Sequence, residues 1–171
     1  MLGLGAGIAI AVIITIILGQ QISIPKSKQN VILENQTSKI KVVASFYPLY
    51  EFTKNIAKDH ADVSVLTPVG VEPHDWEPST KDLLTLEQSD VFVYVGMEPY
   101  VGKIISSGQY DDVSFVNTSQ GTVLSSDPHM WLDPILAKSQ VTMIKDALVK
   151  ADPNNSQYYV NNANEYSVQL D

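Results

Sequence analysis

The chain has 171 residues, 44% hydrophobic and 18% charged, enough apolar surface for one ordinary domain and too little charge for global disorder. The net charge is −8 and all eleven basic residues are lysine, so the bidentate fork that grips phosphate or guanine is missing; nucleic acid is a poor partner and small cations suit the charge better. Cysteine is absent, which excludes disulfides, thiolate metal sites, thiol catalysis and a lipid-modified cysteine anchor.

Residues 2–18, LGLGAGIAIAVIITIIL, carry no charge. As a helix they span roughly 25 Å, just short of a bilayer's hydrocarbon core. The start lacks the basic region of a signal peptide, and LGQQIS is a poor cleavage site, so residues 1–19 read as a signal anchor in preference to a cleaved signal peptide. A buried core helix is the third reading; a polar stretch following an all-round apolar terminus argues against it. Lys26 and Lys28 on the far side would, by the positive-inside rule alone, keep that side in the cytoplasm, but two lysines weigh little. Residues 20–38 are polar and irregular, as expected of a flexible tether. Asn35, Asn117 and Asn154 each begin a glycosylation triplet, a pattern common enough by chance to support an outside location only weakly.

From Lys39 the pattern changes. IKVVASF (40–46), ADVSVLTP (61–68), VFVYVG (91–96) and VSFVN (113–117) are short apolar, β-branched runs that predict buried strands. Between them, residues 47–59 carry Leu49, Phe52 and Ile56 at helical spacing. Residues 79–90 form a helix capped by Ser79 or Thr80, with Leu83 and Leu86 on one face. Residues 98–107 predict a short helix. In 133–152 Asp133 caps, Pro134 takes the first helical position, and Ile135, Val141, Ile144 and Leu148 predict an apolar stripe. A last helix covers roughly 155–171. Strands alternating with helices indicate an α/β fold: a parallel four-stranded sheet flanked by helices, with ligands beyond the carboxyl ends of its strands. A lobe spans 39–150, and 151–171 begins a further helical region.

Two stretches echo each other. PVGVEPHDWEPST (68–80) and DPHMWLDP (127–134) each place a tryptophan two residues after a histidine, among acids and prolines. They follow the second and fourth strands, so His74 and His129 fall at one edge of the sheet. Neutral imidazole is a common ligand for zinc and also serves manganese and iron. The acids could orient the imidazoles or join the metal, and the tryptophans could exclude water. The plainer reading makes both histidines hydrogen-bonded loop residues and both tryptophans core; spacing alone does not decide. Asp133 is most simply a helix cap, and Glu72, Asp75 and Glu77 are most simply solvated or loop-bracing. His60, at a helix end, reads as a surface residue. There is no nucleophile elbow or phosphate-binding glycine loop, and GLGAG (3–7) lacks the preceding strand a dinucleotide site needs.

In order, IKVVASFYPLYEFTKNIA, VSVLTPVGVEPHDWEPST, DVFVYVGMEPYVGKI and DPHMWLDP resemble the zinc- and manganese-type solute-binding proteins of ABC importers, over about residues 40–171. The resemblance implies a two-lobed α/β protein with a metal between lobes joined by a rigid helix, this chain supplying the first lobe. It makes His74 and His129 the first two metal ligands, with Glu72, Asp75, Trp76, Trp131 and Asp133 as surrounding residues, and places further ligands beyond Asp171. On that view the sequence is a fragment or the gene is interrupted. The histidine-rich loop of many zinc members is absent, since residues 108–126 contain no histidine.

The implied role is non-enzymatic capture of a divalent transition metal, Zn²⁺ first and Mn²⁺ next, outside the cell, for delivery to a permease and its ATPase. The protein would sit at the outer face of the cytoplasmic membrane, held by its N-terminal segment, or be periplasmic or secreted if that segment is cleaved. Binding would depend on pH, because both imidazoles must be unprotonated. The competing readings are a surface adhesin on the same scaffold, a non-functional fragment, and a metallohydrolase, the last disfavoured by the lack of a clearly placed general base.

Overall fold

The computed structural model describes residues 38–121 and 129–171. The apolar segment 2–18, tether residues 20–37, Asn35 and the Asp127–Pro128 pair lie outside the described residues. The described residues belong to one compact unit.

The elements alternate along the chain: β1 (Ile40–Ala44), α1 (Tyr47–Ala57), β2 (Ala61–Val65), α2 (Thr80–Glu87), β3 (Val91–Tyr94), α3 (Val101–Ser107) and β4 (Ser114–Asn117). A 3-10 turn (Met130–Leu132) leads into α4 (Pro134–Ala151), and a second (Pro153–Asn155) into α5 (Ser156–Gln169). The four strands are parallel in the order β2-β1-β3-β4. Among the described residues, no helix is long and apolar enough to cross a membrane.

Both faces of the sheet are covered, which is why its strands read as unbroken apolar runs. Successive side chains of a strand point to opposite faces. Val42 and Ala44 of β1 and Val91 and Val93 of β3 therefore pack with Leu49 and Ile56 of α1, Val141, Ile144 and Leu148 of α4, and Tyr159 of α5. Val43, Phe92 and Tyr94 face the other way, onto Leu86 of α2 and Val101 and Ile104 of α3. Fully burying one side chain of this size stabilises the fold by about 1.5–3 kcal/mol.

Two sequence expectations need correction. The ladder ends at Ala44, Val65 and Tyr94, although the apolar runs continue to 46, 68 and 96. The overhanging residues Phe46, Leu66, Thr67 and Val95 are buried all the same, because they carry the chain off the carboxyl end of the sheet beneath its loops. Ile135 is 79% exposed and does not belong to the α4 stripe. It lies two residues, about 200° of helical turn, before Ala137, whose buried face continues through Val141, Ile144 and Leu148.

Candidate metal centre

Strand order 2-1-3-4 reverses between β1 and β3: the chain leaves β1 towards one edge and, from β3 on, builds towards the other. At such a reversal the connections leave on opposite faces and a crevice opens beyond the carboxyl ends of the two strands. A cavity of about 230 Å³ lies there. Phe46, which follows β1, and Val95 and Glu98, which follow β3, form part of its wall; Glu72, His74, His129 and Trp131 are also among its lining residues.

His74 arrives on the β2–α2 loop. Gly70, at φ +85°, turns the chain, with the Val71 amide donating to the Pro68 carbonyl at 3.1 Å. Beyond the histidine, Trp76 packs edge-on against Tyr100, ring centres 5.3 Å apart, and Lys103 of α3 donates to Glu77 at 2.8 Å. The loop then enters α2 through a capping box, in which the Ser79 side chain accepts from the Asp82 amide and the Asp82 carboxylate accepts from the Ser79 amide. His129 is fixed differently. Met130 beside it is 2% exposed, the His129 carbonyl accepts from the Leu132 amide at 3.1 Å, and Asp133 accepts from the amides of Ile135 and Leu136 at 2.8 and 3.1 Å. Asp133 thus caps α4.

The two loops bring the imidazoles together: the ring centres of His74 and His129 are 6.1 Å apart and the rings are nearly perpendicular, at 85°. An ion bonded at about 2.1 Å to an imidazole nitrogen sits roughly 3.2 Å from that ring's centre, so two rings on one ion have centres roughly 5–6.5 Å apart. The observed spacing lies within that range. Glu72 Oε1 is 3.9 Å from His74 Nε2 and accepts from the His74 amide at 3.4 Å, which sets a carboxylate against that ring. Trp131 stacks edge-on between His129 (5.2 Å) and Phe46 (4.6 Å), closing the apolar side. Among the described residues there is no group of three or more His, Cys, Asp or Glu side chains able to hold a metal ion.

The other singled-out residues are placed elsewhere. Trp76 belongs to the α2–α3 side of the core, Asp75 is exposed on the loop, and Glu77 is taken by Lys103. His60 lies at the opposite end of the sheet, against the ring of Tyr158 at 4.0 Å. In the Asn117 triplet, the side chain accepts from the Ser119 amide and hydroxyl.

Sequence reasoning missed Glu98. It is 7% exposed and lines the cavity. Oε1 accepts from the Ser45 hydroxyl and from the Val95 amide at 3.2 Å, and Oε2 accepts from the Gly96 amide at 2.8 Å. Its only trace in the sequence is the tetrapeptide GMEP at the carboxyl end of β3, which by itself does not separate a buried acid from a solvated one. Nearby, the Tyr100 hydroxyl donates to the Ser45 carbonyl at 3.1 Å and lies 3.4 Å from the Thr67 hydroxyl. Burial pushes that phenol far above its usual range; the Thr67 contact opposes this and the Glu98 charge adds to it.

Residues 42–171 match the model of the family described as zinc-uptake complex component A, periplasmic. The chain belongs to this family. A family relative, the high-affinity zinc uptake system protein ZnuA of Bacillus subtilis (strain 168), is 40% identical over 159 residues, covering 80% of this chain and 50% of that protein. The crystal structure of the metal-dependent lipoprotein YcdH from Bacillus subtilis superposes with a TM-score of 0.74 at 46% identity, covering 77% of this chain and 52% of that one. The Zn(II)-bound ZnuA-like domain of Streptococcus pneumoniae AdcA gives a TM-score of 0.72 at 36% identity, with 77% and 52% covered. The chain spans about half the length of these relatives, and the fold is one lobe of the family's solute-binding architecture.

Proposed function

We propose that this chain is the metal-receiving lobe of an extracytoplasmic capture protein, which binds a divalent transition metal and hands it to a membrane permease driven by an ATPase. Zinc is the first candidate and manganese the second. The observation that carries this reading is the approach of His74 and His129 to a 6.1 Å ring separation at the reversal of the sheet, from loops 55 positions apart. Two neutral imidazoles offer nitrogen donors to one ion, Glu72 can orient His74, and Trp131 and Phe46 shed water from one side. The net charge of −8 favours the approach of a cation. The N-terminal apolar segment is proposed to hold the protein at the outer face of the membrane.

Two histidines leave half of a tetrahedral site to be filled. We assign the remaining positions to ligands outside the matched lobe, in the half of the family's length that lies beyond residues 42–171. The test is isothermal titration of zinc into this chain and into the same chain extended by the family's second half. The extended protein is expected to bind far more tightly, because water fills the open positions in the shorter one. Equal affinities would contradict the division of ligands between two halves.

A further inference from the structure

Glu98 stands apart from every other acid in the described residues. It is the only one that is buried, and none of the described lysines pairs with it: the ion pairs of Lys58, Lys103, Lys138 and Lys145 go to Glu165, Glu77, Asp171 and Asp146. A buried carboxylate is costly unless it is hydrogen-bonded and matched by a positive charge. The hydrogen bonds are present, from Ser45 at the end of β1 and from Val95 and Gly96 at the end of β3. They engage both oxygens and hold the carboxylate in the wall. Among the described residues the charge has no cationic counterpart, and its effect reaches the neighbouring phenols: after burial, it is the next influence that raises Tyr94. The cavity it lines is the one that His74 and His129 line.

Resting on the proposed function above, we infer that Glu98 is the standing counter-charge of the cargo: it raises the affinity of the cavity for a dication through space, without bonding to it. A cavity of about 230 Å³ is roughly 8 Å across, a distance at which a charge in the wall and an ion inside still interact several-fold more strongly than in water. The arrangement also lets one residue hold β1 and β3 in register at the point where their ends form the cavity floor. The imidazoles supply the bonds, and Glu98 sets how much positive charge the pocket prefers.

The test uses the full chain, stripped of metal and titrated with Zn²⁺ against a chromophoric chelator, with Co²⁺ absorption as a report on the donor set. In E98Q the charge is gone; zinc affinity is expected to fall about tenfold while the Co²⁺ spectrum keeps its shape. In E98D and S45A the charge stays while hydrogen bonds are altered; affinity is expected to remain within about threefold of the parent. Thermal melts accompany each variant, because a glutamine amide must set a donor against a backbone N–H. Should E98Q fail to fold, E98D and S45A carry the test, and a loss of more than about tenfold in either overturns the inference. It is equally overturned if E98Q binds zinc as the parent does, or if E98D loses as much as E98Q. A parent chain that binds no zinc would instead sink the reading of the site itself.

Discussion

His74 and His129 are held by unlike means. His74 rides on a proline- and glycine-bounded loop whose position is set downstream, by Trp76 on Tyr100 and Glu77 on Lys103. His129 stands immediately before a buried methionine and a capped helix. Asp133 belongs to that support, as the cap of the helix. D133A should lower stability by about 1 kcal/mol in chemical denaturation, the usual cost of losing a helix cap. D133N keeps the cap and removes the charge, so it should leave stability within about 0.5 kcal/mol and zinc affinity within about threefold. A tenfold loss of zinc affinity in D133N would make Asp133 part of the metal site. That the two histidines meet at one edge of the sheet was legible in the sequence, because their motifs repeat one another after the second and fourth strands. Glu98 was not, because nothing in a single GMEP distinguishes an acid tied to β1 from one in solvent until the Ser45 contact, 53 positions away, is seen.

At the scale of elements, the strands were legible because burial on both faces leaves a continuous β-branched run. Their ends were not, since Phe46, Leu66 and Val95 are as buried as the ladder itself and hydrophobicity does not change where pairing stops. Helix starts were clearer than helix faces. Ser79 and Asp133 cap where their side-chain chemistry says they should, whereas Ile135 was assigned to the stripe on hydrophobicity although the helical period turns it to solvent. Leu86 of α2 is the test of the thinner side of the core. It is fully buried in the cluster that also holds Val43 and Phe92, so L86A should cost about 2–5 kcal/mol in urea unfolding. A cost below about 1 kcal/mol would mean that α2 is not packed as described. Because α2 anchors the far end of the His74 loop, the same variant should also weaken zinc binding, by more than the exposed control L84A.

For the molecule as a whole, the strand order decides where chemistry can happen. A sheet ordered 2-1-3-4 has one reversal, and the cavity, both histidines and the buried glutamate all lie at it. The α/β class and the carboxyl-end location followed from alternation and from which strands the histidines succeed. The strand order did not, because the side to which β3 is added is fixed by long-range packing of α1 and α2 on opposite faces. The central claim is that two imidazoles far apart in sequence meet on one ion. Zinc K-edge X-ray absorption on the zinc-loaded chain tests it most directly. Two imidazole nitrogens at about 2.0–2.1 Å should be seen in the parent and one in each of H74A and H129A. A parent spectrum without imidazole scattering, or two imidazoles persisting in either variant, would contradict it.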